Sequence, residues 1–102
     1  MGMTQRLAPV DLAAALVDLP DLHRGPAGQL RLRLQAPTFA AAIELVGLVG
    51  ASAEQLDHHP DIDIRWRNVT FACATHSEGG VTQLDIELAH RIHDLATEQG
   101  AG

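Results

Sequence analysis

Side chains that can move protons are concentrated in the second half of the chain. Glu54, His58, His59, His76 and Asp85 all lie between positions 54 and 85. The unperturbed pKa of histidine is about 6.5, so an imidazole can accept or donate a proton near neutral pH without a strongly altered environment. A carboxylate beside an imidazole can anchor the ring. We therefore interpret this segment as a candidate site for general acid–base catalysis.

The spacing of these residues is specific, because Pro60 and Trp66 complete a pattern in which every gap is fixed. The segment has the spacing E-x3-H-H-P-x5-W-x9-H-x8-D. At these positions the chain resembles the pterin-4a-carbinolamine dehydratases, small enzymes that remove water from 4a-hydroxytetrahydropterins. The resemblance covers about residues 36 to 96 and includes Thr75, directly before His76.

The resemblance implies a reaction and a role for each residue. His59 and His76 would be the main acid/base pair, and His58 would help to bind and orient the pterin. The residues that bind or support the substrate would be Glu54, Pro60, Trp66 and Asp85. The reaction would need no cofactor. Its product, quinonoid dihydropterin, would return to the cycle of an aromatic amino acid hydroxylase.

The resemblance also implies an α+β fold. Members of the family have a four-stranded antiparallel sheet with three helices packed on one face, in the order α-β-β-α-β-β-α. A second function is compatible with this fold, namely a non-catalytic dimerisation or regulatory module. Loss of the motif histidines would be the signature of such a module, and here all three are present.

Several motif residues also have a structural interpretation. Asp85 follows Thr82 at nearly the spacing of a capping box, so it could begin a helix, orient a ligand or a histidine, or do both. Trp66 could be a core residue of a hairpin or the wall of a pocket. Glu54 could be a solvated helix residue.

A zinc site of His58, His59 and His76 is a further alternative, because neutral imidazoles are good zinc ligands. Neighbouring side chains of an extended segment point in opposite directions, which makes joint ligation by His58 and His59 awkward. We therefore expect no metal ion at the site.

Length, charge and composition exclude several classes of function. The 102 residues, of which 46% are hydrophobic, fit one domain over positions 1–102. A domain this small buries a modest share of its surface, which favours a homodimer or homotetramer. The formal charge is −6, with seven arginines and no lysine. This argues against direct nucleic-acid binding, Schiff-base chemistry and a Walker A loop.

The expected compartment is the cytoplasm. The single cysteine, Cys73, cannot form an internal disulfide. No apolar run at the amino terminus is long enough for a signal peptide or a membrane span. We therefore expect no membrane partner.

Periodicity predicts most of the elements. A first helix is expected over residues 11–19 and a strand over residues 30–34, and the resemblance adds a strand at about residues 22–27. Thr38 is the expected N-cap of a second helix that continues to Asp57, and a third helix should follow Thr82 and end at about Glu98. Gly47 and Gly50 in the second helix predict a close approach by the sheet or by another subunit. The buried face of this helix should contain Phe39, Ile43, Val46, Val49, Ala53 and Leu56.

Residues 61–73 predict a β-hairpin, because apolar and polar residues alternate on both sides of a short turn. With Arg67 and Asn68 as the two loop residues, Ile64 is opposite Phe71 and both lie on an apolar face. One further step along the same register places His59 opposite His76.

Overall fold

The computed structural model describes residues 6–102, so the first five residues of the expected domain lie outside the described part. The elements follow the predicted α+β order, with a 3₁₀ turn (His76–Glu78) added before the last helix. They are α1 (Pro9–Ala15), β1 (Leu22–Arg24), β2 (Leu30–Gln35), α2 (Phe39–Leu56), β3 (Asp61–Arg65), β4 (Asn68–Cys73) and α3 (Gln83–Glu98).

One face of the sheet carries the core. The four strands are antiparallel in the order β1-β2-β4-β3. In β2 the leucines at alternate positions are buried, whereas Arg33 and Gln35 between them are exposed, so the helices cover a single face. The largest fully buried side chains are Phe71, Leu30, Leu32, Leu45, Leu88, Ile92, Val49 and Val69.

Helix α2 begins as predicted, and four of the six residues predicted for its buried face contribute to the core: Val49 and Ala53 are buried, and Val46 and Leu56 are partly buried against it. The Oγ1 of Thr38 accepts a hydrogen bond from the Ala41 N–H at 3.1 Å, which satisfies one of the unpaired donors at the start of the helix. Phe39 and Ile43, expected in the core, are 51% and 49% exposed. The prediction was wrong at these two positions because apolar residues also lie outside the buried stripe, so periodicity alone did not give the limits of the covered face. The buried residues of α2 are Ala42, Leu45, Val49 and Ala53.

An apolar outer stripe of α2, formed by Phe39, Ile43, Gly47 and Gly50, is left uncovered by residues 6–102. A Cβ at either glycine would have no neighbour within 4 Å outside the helix backbone. The expectation that the sheet approaches these glycines is therefore wrong, while approach by another subunit stays a prediction. The 18 residues of α2 and their mean hydropathy of 1.3 would also suffice for a membrane span. Core helices of globular domains share that length and composition, so this is weak evidence.

Helices α1 and α3 lie near the two ends of the chain and are joined by a hydrogen-bond contact. α1 ends at Ala15, earlier than predicted, although Leu19 beyond it is still buried. α3 has the predicted bounds and begins at the predicted capping box of Thr82 and Asp85. The Nε2 of His90 in α3 lies 3.2 Å from the Ala15 carbonyl oxygen, so the end of α1 is held on α3.

The β3–β4 hairpin forms with a different register from the predicted one. Its loop residues are Trp66 and Arg67, and Ile64 lies opposite Val69. The predicted loop, Arg67 and Asn68, lies one residue too far along the chain. Each residue of β3 was therefore paired with a β4 residue two positions too far along, as with Phe71 in place of Val69 opposite Ile64. A shift of two keeps every side chain on its face of the sheet, so the apolar pairing that supported the prediction fits both registers equally. The register is fixed instead by Asn68, which is a strand residue paired with both neighbouring strands.

The predicted pairing of His59 with His76 is therefore wrong. Strand pairing on β3 begins at Asp61, opposite Ala72, and β4 ends before His76. Pro60 precedes the first paired residue, as expected of a residue that cannot donate to the ladder. The hairpin nevertheless brings both histidines to the same end of the sheet.

The backbone of Trp66 provides a test of this turn, because its φ of 57° is costly for a residue with a Cβ. We expect Trp66→Gly to be more stable than Trp66→Ala by about 1 kcal/mol in urea denaturation. Both variants remove the indole ring, and only glycine relieves the backbone cost. At Asn68, which lies in β4, the order should reverse, with alanine more stable than glycine. Equal or greater stability of Trp66→Ala would show that the turn is misplaced.

Candidate active site

The candidate site lies at one end of the β3–β4 hairpin. Helix α2 ends at Asp57, whose φ of 50° turns the chain through His58, His59 and Pro60 into β3. β4 leaves the sheet at this same end and continues to His76. The fold thus places the three histidines of the motif at the same end of the hairpin, although they are not cross-strand neighbours.

His58 makes the more buried of the two histidine–carboxylate contacts in the site. Its Nε2 lies 2.6 Å from Oδ1 of Asp85, and the two side chains are 12% and 0% exposed. Oδ2 of Asp85 accepts hydrogen bonds from the Thr75 hydroxyl at 2.7 Å and from the Thr82 N–H at 2.9 Å. Asp85 therefore begins α3 and holds a histidine at the same time, which is the combined structural role that the sequence left open.

The contacts of Asp85 suggest an assignment for the His58 ring. An ionised carboxylate only accepts hydrogen bonds, and Oδ2 of Asp85 accepts from Thr75 and Thr82. We therefore assign Nε2 of His58 as the donor to Oδ1, which leaves Nδ1 to accept a proton or to contact a ligand.

A second carboxylate–imidazole pair lies beside the first and is open to solvent. The Nε2 of His59 lies 2.5 Å from Oε2 of Glu54, with the side chains 55% and 77% exposed. Glu54 comes from the last turn of α2, so the end of the helix positions His59. His59 is thus oriented in the same way as His58 but is accessible to a substrate.

His76 contributes to the wall of a cavity of about 250 Å³, which we call the His76 cavity. Its volume is near the lower end of ligand-binding pockets, about 300 Å³. Thr75 and Asp61 also line the cavity. Since the Thr75 hydroxyl donates to Asp85, the cavity wall is linked by hydrogen bonds to His58. The remaining lining residues are Ala27, Gln29, Ala72, Ala74, Gly79 and Gly80.

Thr75 and Asp61 belong to this arrangement but were not predicted from the sequence as site residues. Trp66 was predicted as a site residue but lies elsewhere. Thr75 is part of the matched segment directly before His76, but its role depends on a contact with a residue ten positions away. Asp61 is the first residue of β3 and gave no signal of its own. Trp66 lies at the opposite end of β3, 67% exposed, with the Arg67 guanidinium 5.0 Å from its ring. Within the described chain it is neither core nor pocket wall.

Cys73 adds no reactive group to the site, and the described residues form no cluster that could bind a metal ion. Burial, together with the charges of Asp85 and Asp61, raises the pKa of the Cys73 thiol to about 12. The thiol therefore stays protonated and unreactive at neutral pH. Among residues 6–102, no three His, Cys, Asp or Glu side chains converge in a way that could hold a metal ion.

The family model described as Pterin 4 alpha carbinolamine dehydratase matches residues 5–95. The chain belongs to this family. The pterin-4a-carbinolamine dehydratases are hydro-lyases, and the motif histidines all lie within the matched residues.

Relatives and a solved structure agree with this assignment. A protein of Nocardia farcinica is 50% identical over 93 residues, which cover 91% of this chain and 97% of that protein. One of Mycobacterium tuberculosis is 53% identical over 79 residues, 78% of this chain and 83% of that protein. Both bear the provisional name pterin-4-alpha-carbinolamine dehydratase. The crystal structure of a transcriptional coactivator/pterin dehydratase from Brucella melitensis superposes with a TM-score of 0.85 at 30% identity, over 90% of this chain and 99% of that one.

The two carboxylate–imidazole pairs should differ sharply in what they contribute to stability. Asp85→Ala removes a buried acceptor and leaves the Thr82 N–H and the His58 ring without their partner, so we expect a loss of roughly 2–4 kcal/mol in urea denaturation. The matched change Glu54→Ala removes an exposed partner and should cost less than about 1 kcal/mol. Similar losses for both variants would contradict the assignment of Asp85 as the buried anchor.

Proposed function

We propose that this protein dehydrates 4a-hydroxytetrahydropterin to quinonoid dihydropterin by histidine acid–base catalysis. The observation that carries the proposal is the pair of anchored imidazoles, His58 on Asp85 and His59 on Glu54, at the end of the sheet where His76 lines a cavity. Family membership indicates the class of substrate.

The reaction requires one proton to be given and one to be taken. The C4a–O bond breaks with its electron pair on oxygen, and a general acid protonates that oxygen so that it leaves as water. A general base removes the proton from N5, and the N–H electron pair becomes the N5=C4a double bond. Two imidazoles of ordinary basicity can perform both transfers near neutral pH. Exchange with solvent water then restores the starting protonation of each ring.

The exposure of the three histidines supports a division of roles. His59 is 55% exposed and His76 lies in the cavity wall, so both rings are accessible to a substrate. We assign proton transfer to this pair. His58 is 12% exposed and held by Asp85, which suits a residue that binds and orients the ring through Nδ1.

The product would serve a recycling pathway. We propose that the quinonoid dihydropterin is returned to the cofactor cycle of an aromatic amino acid hydroxylase in the cytoplasm. Support for this step comes only from the chemistry of the product and from the family assignment.

We further propose that the protein is a homodimer or homotetramer. The outer stripe of α2 offers apolar side chains at Phe39 and Ile43 and open backbone at Gly47 and Gly50, which would allow a second helix to approach closely. Analytical ultracentrifugation should therefore show a mass of two or four chains. A single species of 10.9 kDa at micromolar concentration would contradict the proposal.

The mechanism predicts that the three histidines respond differently to substitution. In a dehydration assay on freshly generated substrate, His59→Ala and His76→Ala should each lower kcat by about 10² to 10⁴-fold. His58→Ala should act mainly on KM, because a binding residue acts alike in the ground and transition states. His93→Ala on α3 is the matched control and should leave both constants unchanged.

The same assay distinguishes the alternatives. Protein treated with a chelator should keep its activity, and loss of activity that zinc restores would indicate a metal site instead. Wild-type kcat in both His59→Ala and His76→Ala would exclude proton transfer by this pair. Such a result, with an intact oligomer, would favour the non-catalytic dimerisation or regulatory module.

A further inference from the structure

A second groove adjoins the His76 cavity and takes no part in the acid–base chemistry. It has a volume of about 490 Å³ and lies between α1, the β1–β2 turn and the segment before α3. It shares Ala27, Gly79 and Gly80 with the His76 cavity. The side chains at these shared positions are no larger than a methyl group, and the long side chain that lies against them, at Gly79 and Gly80, is that of Arg6. The floor of the groove is apolar and includes Leu7, Leu12, Leu16, Leu22 and Val81.

Two arginines give this groove a positive charge in a chain whose net charge is −6. Arg6 and Arg24 are both among its lining residues, and none of the described lining residues is acidic. Within residues 6–102 neither arginine is paired with a carboxylate, since the ion pairs of this region involve other residues. The groove therefore combines an apolar floor with cations that have no internal counter-ion.

Both guanidinium groups are positioned by backbone contacts. The Nε of Arg24 donates to the Gly28 carbonyl oxygen at 2.8 Å, across the β1–β2 turn. The backbone of Arg6 pairs with Thr82, and its side chain lies against Gly80, where a Cβ would be 2.5 Å from the Arg6 Cδ. Since a guanidinium has five N–H donors in a fixed fork, these contacts leave donors on each arginine for an anion.

We propose that this groove binds an anionic group on the C6 substituent of the pterin, and that the preferred substrates carry a phosphate or a carboxylate there. The inference rests on the proposed dehydratase function. C6 is bonded to N5, one of the two reacting atoms, so a C6 substituent starts one bond from the chemistry and must leave the His76 cavity. The cavity and the groove adjoin at Ala27, Gly79 and Gly80, where the Arg6 side chain lies beside the two glycines, so a substituent that leaves the cavity on this side meets Arg6. There the leucines contact its carbon chain, and Arg6 and Arg24 bind the terminal anion.

The test compares substrates that differ only in the charge of the C6 substituent. The substrates are 4a-hydroxytetrahydropterins with a neutral dihydroxypropyl group, with its phosphate ester, and with a carboxylate of similar length. For wild type we expect kcat/KM to be about tenfold or more higher for at least one of the anionic substrates, with the two anionic arms showing whether phosphate or carboxylate is preferred. The preference should decrease with added salt, because the arginines are partly exposed.

Substitution of the arginines should remove this preference. In Arg6→Gln, Arg24→Gln and the double variant, the ratio of kcat/KM for the anionic over the neutral substrate should fall by about tenfold in total. The matched control Arg33→Gln removes the same charge from the uncovered face of the sheet and should leave the ratio unchanged. Using a ratio for each variant cancels any general effect on folding.

Binding of an anion in this groove and catalysis of dehydration can be tested separately. Calorimetric titration with unreactive 7,8-dihydropterins bearing the same three substituents measures the binding preference without turnover. Preference for anionic pterins in binding without any dehydration would refute the proposed function and retain the anion site. Dehydration of all three substrates at equal kcat/KM, or a preference that survives in the double variant, would overturn the inference and leave the dehydratase function intact.

Discussion

The buried carboxylate of Asp85 is the interaction on which the arrangement of the site depends. It joins three segments that are distant in sequence, because it accepts hydrogen bonds from His58 after α2, from Thr75 after β4 and from the Thr82 backbone at the start of α3. A buried carboxylate without partners would be strongly destabilising, so each of these donors is needed by the fold as well as by the site. In this protein the requirement to satisfy one charge therefore determines where a histidine points.

Much of the fold could be predicted from the sequence, because its elements depend on local patterns. The alternation of β2, the N-cap at Thr38 and the capping box of Thr82 and Asp85 all depend on residues within a few positions of one another. The errors have a common origin. The limits of the covered face of α2 and the register of the hairpin are decided by what packs against them, and a wider face and a second register fitted the sequence equally well.

In the candidate site, too, the residue types were predicted from the sequence and their contacts were not. The motif identified the histidines and carboxylates by type and spacing, but it did not show that Glu54 pairs with His59 while Asp85 pairs with His58. Those pairings depend on the angle at which the chain leaves α2, set by a left-handed residue at Asp57. Trp66 was grouped with the histidines because it occupies a fixed position in the same motif, yet a five-residue strand separates it from His58 and His59 in space.

The link from His58 through Asp85 to Thr75 also has a consequence for the order of folding. Its hydrogen bonds span 27 and 10 residues along the chain, so none can form before α3 docks against the hairpin. An intermediate with a formed sheet and an undocked α3 would contain all three histidines but would not hold His58 in its native orientation. Local opening of the first turn of α3 would likewise release this ring before the sheet itself is disturbed. The orientation of His58 therefore depends on the docking of the last helix, whereas the pair of His59 and Glu54 does not involve that helix.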